Sequence, residues 1–172
     1  DGTYFEVEEE PVEEMDYAEF KRNRPKLWGT WTKEYDKHVL TNHKNNTYKY
    51  DLRKGNWIIA FPYNNSISLK GKYKKVSGGN FGNGIYSYFK SEIVFLDNTH
   101  FTSEDENVVG AYGSTGWNNS KYSGSYKIDQ NTIEFKYNDG KTVRLSFAIG
   151  AKGDNVLSSD MIFIGGKAYV IE

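Results

Sequence analysis

The chain has 172 residues, enough for one domain, with 22 Lys and Arg against 23 Asp and Glu and a formal net charge of −1. The absence of cysteine excludes a disulfide scaffold, a thiolate zinc site and a Cys nucleophile, and no apolar run reaches the ~18 residues of a membrane span. Aromatic residues make up 16%, so rings must supply much of the buried area of a β-rich domain.

The chain opens on Asp1-Gly2, with neither an initiator Met nor a signal segment, as expected of a processed form that is secreted or belongs to the cell envelope. Eight acids and no bases fall in residues 1–16. Like charges at that density repel, and the few apolar side chains among them cannot repay the entropy of ordering. Residues 1–24 are therefore predicted to be an acidic tether, largely disordered, with a short helix over 15–23. The domain is expected over residues 25–172.

From Leu27 the pattern is period two, broken by Gly, Asn and Asp. Tyr48-Lys49-Tyr50, residues 57–61 and Ile67-Ser68-Leu69 are predicted short strands, with a turn at Gly55-Asn56. Ile85, Ser87, Phe89, Ser91, Ile93 and Phe95 share one parity, with Lys90 and Glu92 on the other, which describes a strand with one apolar and one wet face. Asp97-Asn98 is a predicted turn. Tyr122, Tyr126 and Ile128 lead through Asp129-Gln130-Asn131 to Ile133, Phe135 and Tyr137. Asn138-Asp139-Gly140 is a strong hairpin signal because these residues tolerate positive φ. Val143, Leu145, Phe147 and Ile149 return, and a last hairpin turns at Gly165-Gly166. About ten strands with no long crossover predict an all-β, antiparallel, up-and-down barrel.

Leu27-Trp28-Gly29-Thr30-Trp31 resembles the Gly-x-Trp signature of lipocalin-like, or calycin, barrels. Residues 123–128, 133–137 and 162–169 look like the last strands of bacterial lipocalin-like domains. The resemblance implies that Trp31, with Gly29, plugs the closed end of the barrel, and that Arg144 packs over it. Gly55-Asn56-Trp57 satisfies the same short motif, and an ordinary core aromatic is the alternative for Trp31.

Residue chemistry gives no support to catalysis. His38, His43 and His100 are scattered rather than spaced as metal ligands, and no metal or cofactor is expected. Glu104-Asp105-Glu106 is predicted to be a solvated turn, and residues 78–84 a hairpin loop, because no helix follows to make a phosphate site. No nucleophile elbow is present, and Glu92 and Glu134 are predicted to be outward, solvated carboxylates. Lys70, Lys72, Lys74 and Lys75 beside Tyr73 could track a nucleic-acid backbone, but the same pattern guards a strand edge. No nucleic acid is expected.

The function expected is therefore non-enzymatic: a monomeric barrel binding a small apolar ligand at its open end through Ile85, Phe89, Tyr122, Tyr126, Phe135 and Phe147. A barrel filled by those same rings is the bland competitor. A protein-interaction module of an exported or envelope assembly is the alternative, using loops that carry Tyr63, Phe81, Tyr112 and Trp117. Carbohydrate binding is a third reading, because sugars stack on Tyr and Trp and hydrogen-bond to Asn.

Overall fold

The computed structural model describes residues 2–51, 58–64, 67–82, 85–111, 114–152 and 156–172, the side chains of 80–82, 152 and 156 excepted. Its elements are β1 (Thr3–Phe5), α1 (Tyr17–Asn23), β2 (Trp28–Glu34), β3 (Lys37–Asn42), β4 (Thr47–Tyr50), β5 (Ala60–Phe61), β6 (Gly71–Gly82), β7 (Ile85–Phe95), β8 (His100–Ala111), β9 (Ser114–Asp129), β10 (Thr132–Tyr137), β11 (Thr142–Lys152), β12 (Val156–Ile164) and β13 (Lys167–Ile171). The predicted turn at Gly55-Asn56 and Trp57 of the predicted strand over 57–61 lie outside the described residues, Ala60 and Phe61 of that strand form β5, and Ile67 to Leu69 is irregular rather than a strand.

Strands β6 to β13 each pair antiparallel with the next, and β13 returns to β6, closing an eight-stranded up-and-down barrel. The barrel takes eight strands rather than about ten, because the strands of the N-terminal third lie outside it. They build a separate four-stranded sheet instead, in the order β1-β2-β3-β4, while β5 adds to the end of β11.

Inward parity fills the barrel with rings and branched side chains. Tyr73, Phe95, Phe101, Ile133, Phe135, Phe147, Ile149, Ile162 and Ile164 are buried. The rings interlock at centroid distances of 4.6 Å (Phe101–Phe135), 4.7 Å (Phe95–Tyr126) and 5.6 Å (Tyr73–Phe95). Two buried phenols discharge their polar ends on backbone carbonyls, Tyr126 to Asp97 at 2.8 Å and Tyr73 to Ser159 at 2.7 Å, as buried tyrosines must. Gly124 is required where it stands, because a Cβ there would sit 2.0 Å from the Lys136 carbonyl oxygen. The turn at Asp97 is tied by its own carboxylate, which accepts from the Thr99 and His100 amides at 2.7 Å. Those amides, the Thr99 hydroxyl and the His100 ring hold the Asp97 carboxyl far below the ordinary carboxylate range.

The acidic segment is laid against the barrel rather than left as a tether. Beyond the end of β12 the Ser146 amide has no strand partner on that side, and the Glu9 carbonyl accepts its bond at 2.9 Å. The Ser146 hydroxyl donates to the Glu8 carbonyl at 2.6 Å. Further along, the Glu13 carboxylate accepts from the Asn131 amide at 2.7 Å and the Thr132 hydroxyl at 2.6 Å, and Arg144 pairs with Glu14 at 2.5 Å. Lys167 pairs with Glu9 at 3.0 Å, and Arg24 gathers Glu8 and Glu10. Net negative charge alone predicts repulsion; what reverses it is the set of basic and N–H groups that the barrel wall presents to these acids. The expected boundary at residue 24 falls inside the N-terminal sheet, since β1 pairs with β2.

Candidate functional site

The N-terminal sheet has two unlike faces. On one, Phe5 and Trp28 stack at 5.1 Å and pack against Tyr17 and Phe20 of α1. Asp16 caps that helix by accepting from the Glu19 amide at 3.0 Å. Among the described residues the other face is uncovered. Strand register aligns three rows across it: Tyr4, Gly29 and Asn42; Trp31, Leu40 and Tyr48; Lys33, His38 and Tyr50.

These rows line an open cleft of about 610 Å³, bounded by Tyr4, Phe5, Glu6, Trp31, His38 and Tyr48, with Leu40, Asn42 and Tyr50 completing it. Its rings lie in two pairs, Trp31 with His38 tilted at 5.8 Å and 34°, and Tyr48 stacked with Tyr50 at 6.5 Å and 28°. Gly29 explains one wall. A Cβ at that position would meet the Thr41 carbonyl at 2.3 Å and the Tyr4 ring at 2.5 Å, so only glycine lets the Tyr4 ring lie flat on the sheet. Burial, then the Glu6 carboxylate and the neighbouring tyrosines, raise the Tyr4 phenol above its ordinary pKa, which keeps it a hydrogen-bond donor. The Nδ1 of His38 is shut off from solvent without a hydrogen-bond partner. Gly29→Val is expected to expel the Tyr4 ring and close the cleft, read as a changed Tyr4 ring signal by NMR.

Trp31 therefore does not plug the barrel. It is 37% exposed on the open sheet face. Arg144 does not pack over it either; its guanidinium bonds Glu14 and lies 3.5 Å from Glu134, outside the barrel. The Gly-x-Trp spacing is met here because a glycine must seat one ring while the next same-face position carries another.

The barrel residues expected to bind a ligand divide into two groups. Tyr126, Phe135 and Phe147 are buried in the packed core, ring against ring with Phe95, Phe101 and Tyr63. Ile85 opens β7 and Phe89 lies midway along it, both half-buried, and Tyr122 is exposed, edge-on to Tyr137 at 5.7 Å. Of the expected interaction loops, Tyr112 and the Phe81 side chain lie outside the described residues. Trp117 is exposed on strand β9 rather than on a loop, and Tyr63 packs on Phe147 at 6.0 Å and donates to the Ile67 carbonyl. The Glu104-Asp105-Glu106 run is mid-strand in β8, not a turn. Residues 78–82, expected in a loop, belong to β6.

Glu92 faces outward as expected but is not solvated, being 7% exposed. The ammoniums of Lys90, Lys72 and Lys74 surround its Oε1 at 2.8, 3.1 and 3.5 Å, close as ion pairs though none is aligned as a hydrogen bond. Burial works to raise its pKa, but these cations outweigh it and hold the carboxyl below the ordinary range, the opposite of what a general acid needs. Among the described residues no three His, Asp or Glu side chains are grouped to hold a metal ion, and no helix is long and apolar enough to cross a membrane.

Compared with protein-family models, curated proteins and solved structures, the chain matches none.

Proposed function

We propose that the protein is a non-enzymatic binding module that takes a neutral saccharide in the aromatic cleft of its N-terminal sheet. The observation that carries this reading is the pairing of flat, exposed rings with hydrogen-bonding groups on one uncovered face. A pyranose has an apolar C–H face, which stacks on Trp31, Tyr48 or Tyr50, and a rim of hydroxyls, which require donors and acceptors such as Tyr4, Asn42 and Glu6. A stored apolar ligand would leave much of its surface in water in so open a cleft. A nucleic acid would need cations at its phosphates, whereas the residues that line the cleft include the carboxylate of Glu6 and neither lysine nor arginine. A secreted or envelope-associated setting, where such ligands abound, fits this reading.

Titration calorimetry with neutral oligosaccharides of different backbones is the test. Binding of at least one is expected, and Trp31→Ala should weaken it by about 1–3 kcal/mol, roughly five- to 150-fold, as loss of one stacked ring does elsewhere. Because Trp31 is exposed, the same change should cost no more than about 1 kcal/mol of stability. Absence of saccharide binding, or binding indifferent to both Trp31→Ala and Tyr48→Ala, would sink the reading.

The lipocalin-like reading, with a small apolar ligand at the open end of the barrel, has one observation in its favour. Phe89 lies half-buried just past the point where β13 pairs with β6, and the Lys75 ammonium lies 5.1 Å over its ring. A fluorescent fatty-acid probe displaced by Phe89→Ala, with Trp31→Ala silent, would establish it over the cleft.

A further inference from the structure

Residues 76–89 and 107–120 carry no charge at all, in a chain that is 26% charged. The fold brings them together. Strands β6, β7, β8 and β9 have 12, 11, 12 and 16 residues, against six in β10. Among the described residues, β13 pairs with β6 only at Tyr73 and Lys74, and β10 pairs with β9 only from Gly124 onward. The four long strands therefore run on past the barrel as a four-stranded extension, uncharged beyond a belt that includes Lys74, Lys90, Glu104, Glu106 and Lys121.

Its two edges differ. The β6 edge carries lysines at its base, a positive-φ Gly78 and a register shift between Asn80 and Gly82, the features by which proteins guard an edge. The β9 edge over residues 114–120 has no charge, no proline and no shift in its pairing with β8. Its outer face shows Trp117, 65% exposed, in one row with Tyr88 and Val108. The ring is steadied by a bond from its Nε1 to Glu106 at 3.3 Å, and beside it Tyr86 and Thr115 share a bond at 3.0 Å.

We infer that this edge is the docking surface for a second copy of the chain, the two β9 strands pairing antiparallel about a two-fold axis at Trp117. Centring the axis on a residue keeps both outer faces on the same side of a continuous eight-stranded sheet. Trp117 then stands opposite its own copy, Gly116 opposite Asn118, Thr115 opposite Asn119 and Ser114 opposite Ser120, so no charge faces a like charge. The contact is isologous and closes on itself, unlike a β9-to-β6 contact, which would propagate into filaments. It also satisfies edge amides and carbonyls, which a lipid surface could not do.

Light scattering on the intact chain at high micromolar concentration is expected to give twice the 19.8 kDa chain mass. Trp117→Lys sets two ammoniums directly opposite and should weaken the dimer by about 100-fold or more, since like charges across strands repel. Asn118→Lys sets an ammonium opposite Gly116 on the other face, with no second ammonium directly facing it, and should weaken the dimer by a smaller factor, while Val76→Lys on the β6 edge should leave the dimer intact. Oxidised Trp117→Cys, in a chain otherwise free of cysteine, should link as a dimer. A monomer at these concentrations overturns the inference, including one that binds a different protein through this edge. So does a dimer that survives both β9 variants or yields equally to Val76→Lys. Saccharide binding at the N-terminal sheet is unaffected by any of these results.

Discussion

Phe101→Ala is expected to lower the unfolding free energy by about 3–5 kcal/mol, the cost of removing a large ring from a packed core. The ring is 1% exposed, lies 4.6 Å from Phe135 and 5.4 Å from Tyr137, and stands opposite Phe95 and Gly124 in the strand register. Its ring neighbours are fixed on two other strands, Phe95 on β7 and Phe135 and Tyr137 on β10, and Gly124 of β9 has no side chain with which to fill the gap. The cavity left by truncation therefore cannot collapse, which places the loss in the upper part of that range. In urea the midpoint should fall with little change in slope, and the melting temperature should drop by roughly 2–4 °C for each kcal/mol. A loss below about 1 kcal/mol would mean that the interior has slack at this level, and would revive a hollow barrel.

Glu13→Ala is expected to destabilise the fold by about 1 kcal/mol and to flatten its response to acid. The carboxylate itself is exposed and screened, so its ion-pair contribution is small; the cost comes from Thr132, which is buried and loses the acceptor of its hydroxyl. Burial pushes the Glu13 pKa up, but the bonds from Thr132 and Asn131 outweigh it and leave the group below its ordinary value. A carboxyl whose pKa is lower in the folded state binds protons more readily in the unfolded chain. Its contribution is therefore complete above the unfolded value of about 4.3 and is lost as the pH falls through the folded one. Chemical denaturation at a series of pH values should show stability falling below about pH 4 in the parent chain, with a shallower fall in the variant. An unchanged acid slope would mean that the acidic segment does not grip the wall at Thr132.

The sequence by itself determined the barrel walls. Alternation from Ile85 to Phe95, and again through Ile133, Phe135, Phe147 and Ile149, needs only period two and turn chemistry at Asp97-Asn98 and Asn138-Asp139-Gly140, and such signals are local. Closure followed too, because sequential hairpins with no crossover have few other ways to remove their edges. The charge-free runs at 76–89 and 107–120 were legible as well, though nothing local says that they are neighbours.

Tertiary structure alone decided where the rings of the N-terminal third would go. Trp31, Tyr48 and Tyr50 have the composition of a core and the parity of a strand face, yet their sheet has a helix for only one of its two sides. Which side α1 covers depends on the contact of Phe5 and Trp28 with Tyr17 and Phe20, a packing choice that periodicity cannot express. The acidic segment shows the same limit in electrostatics. Its own residues predict mutual repulsion, and only the folded barrel supplies the Ser146 and Asn131 amides, the Thr132 hydroxyl and the Arg144 and Lys167 cations that hold the Glu9 backbone and the Glu9, Glu13 and Glu14 carboxylates against its wall as a strap.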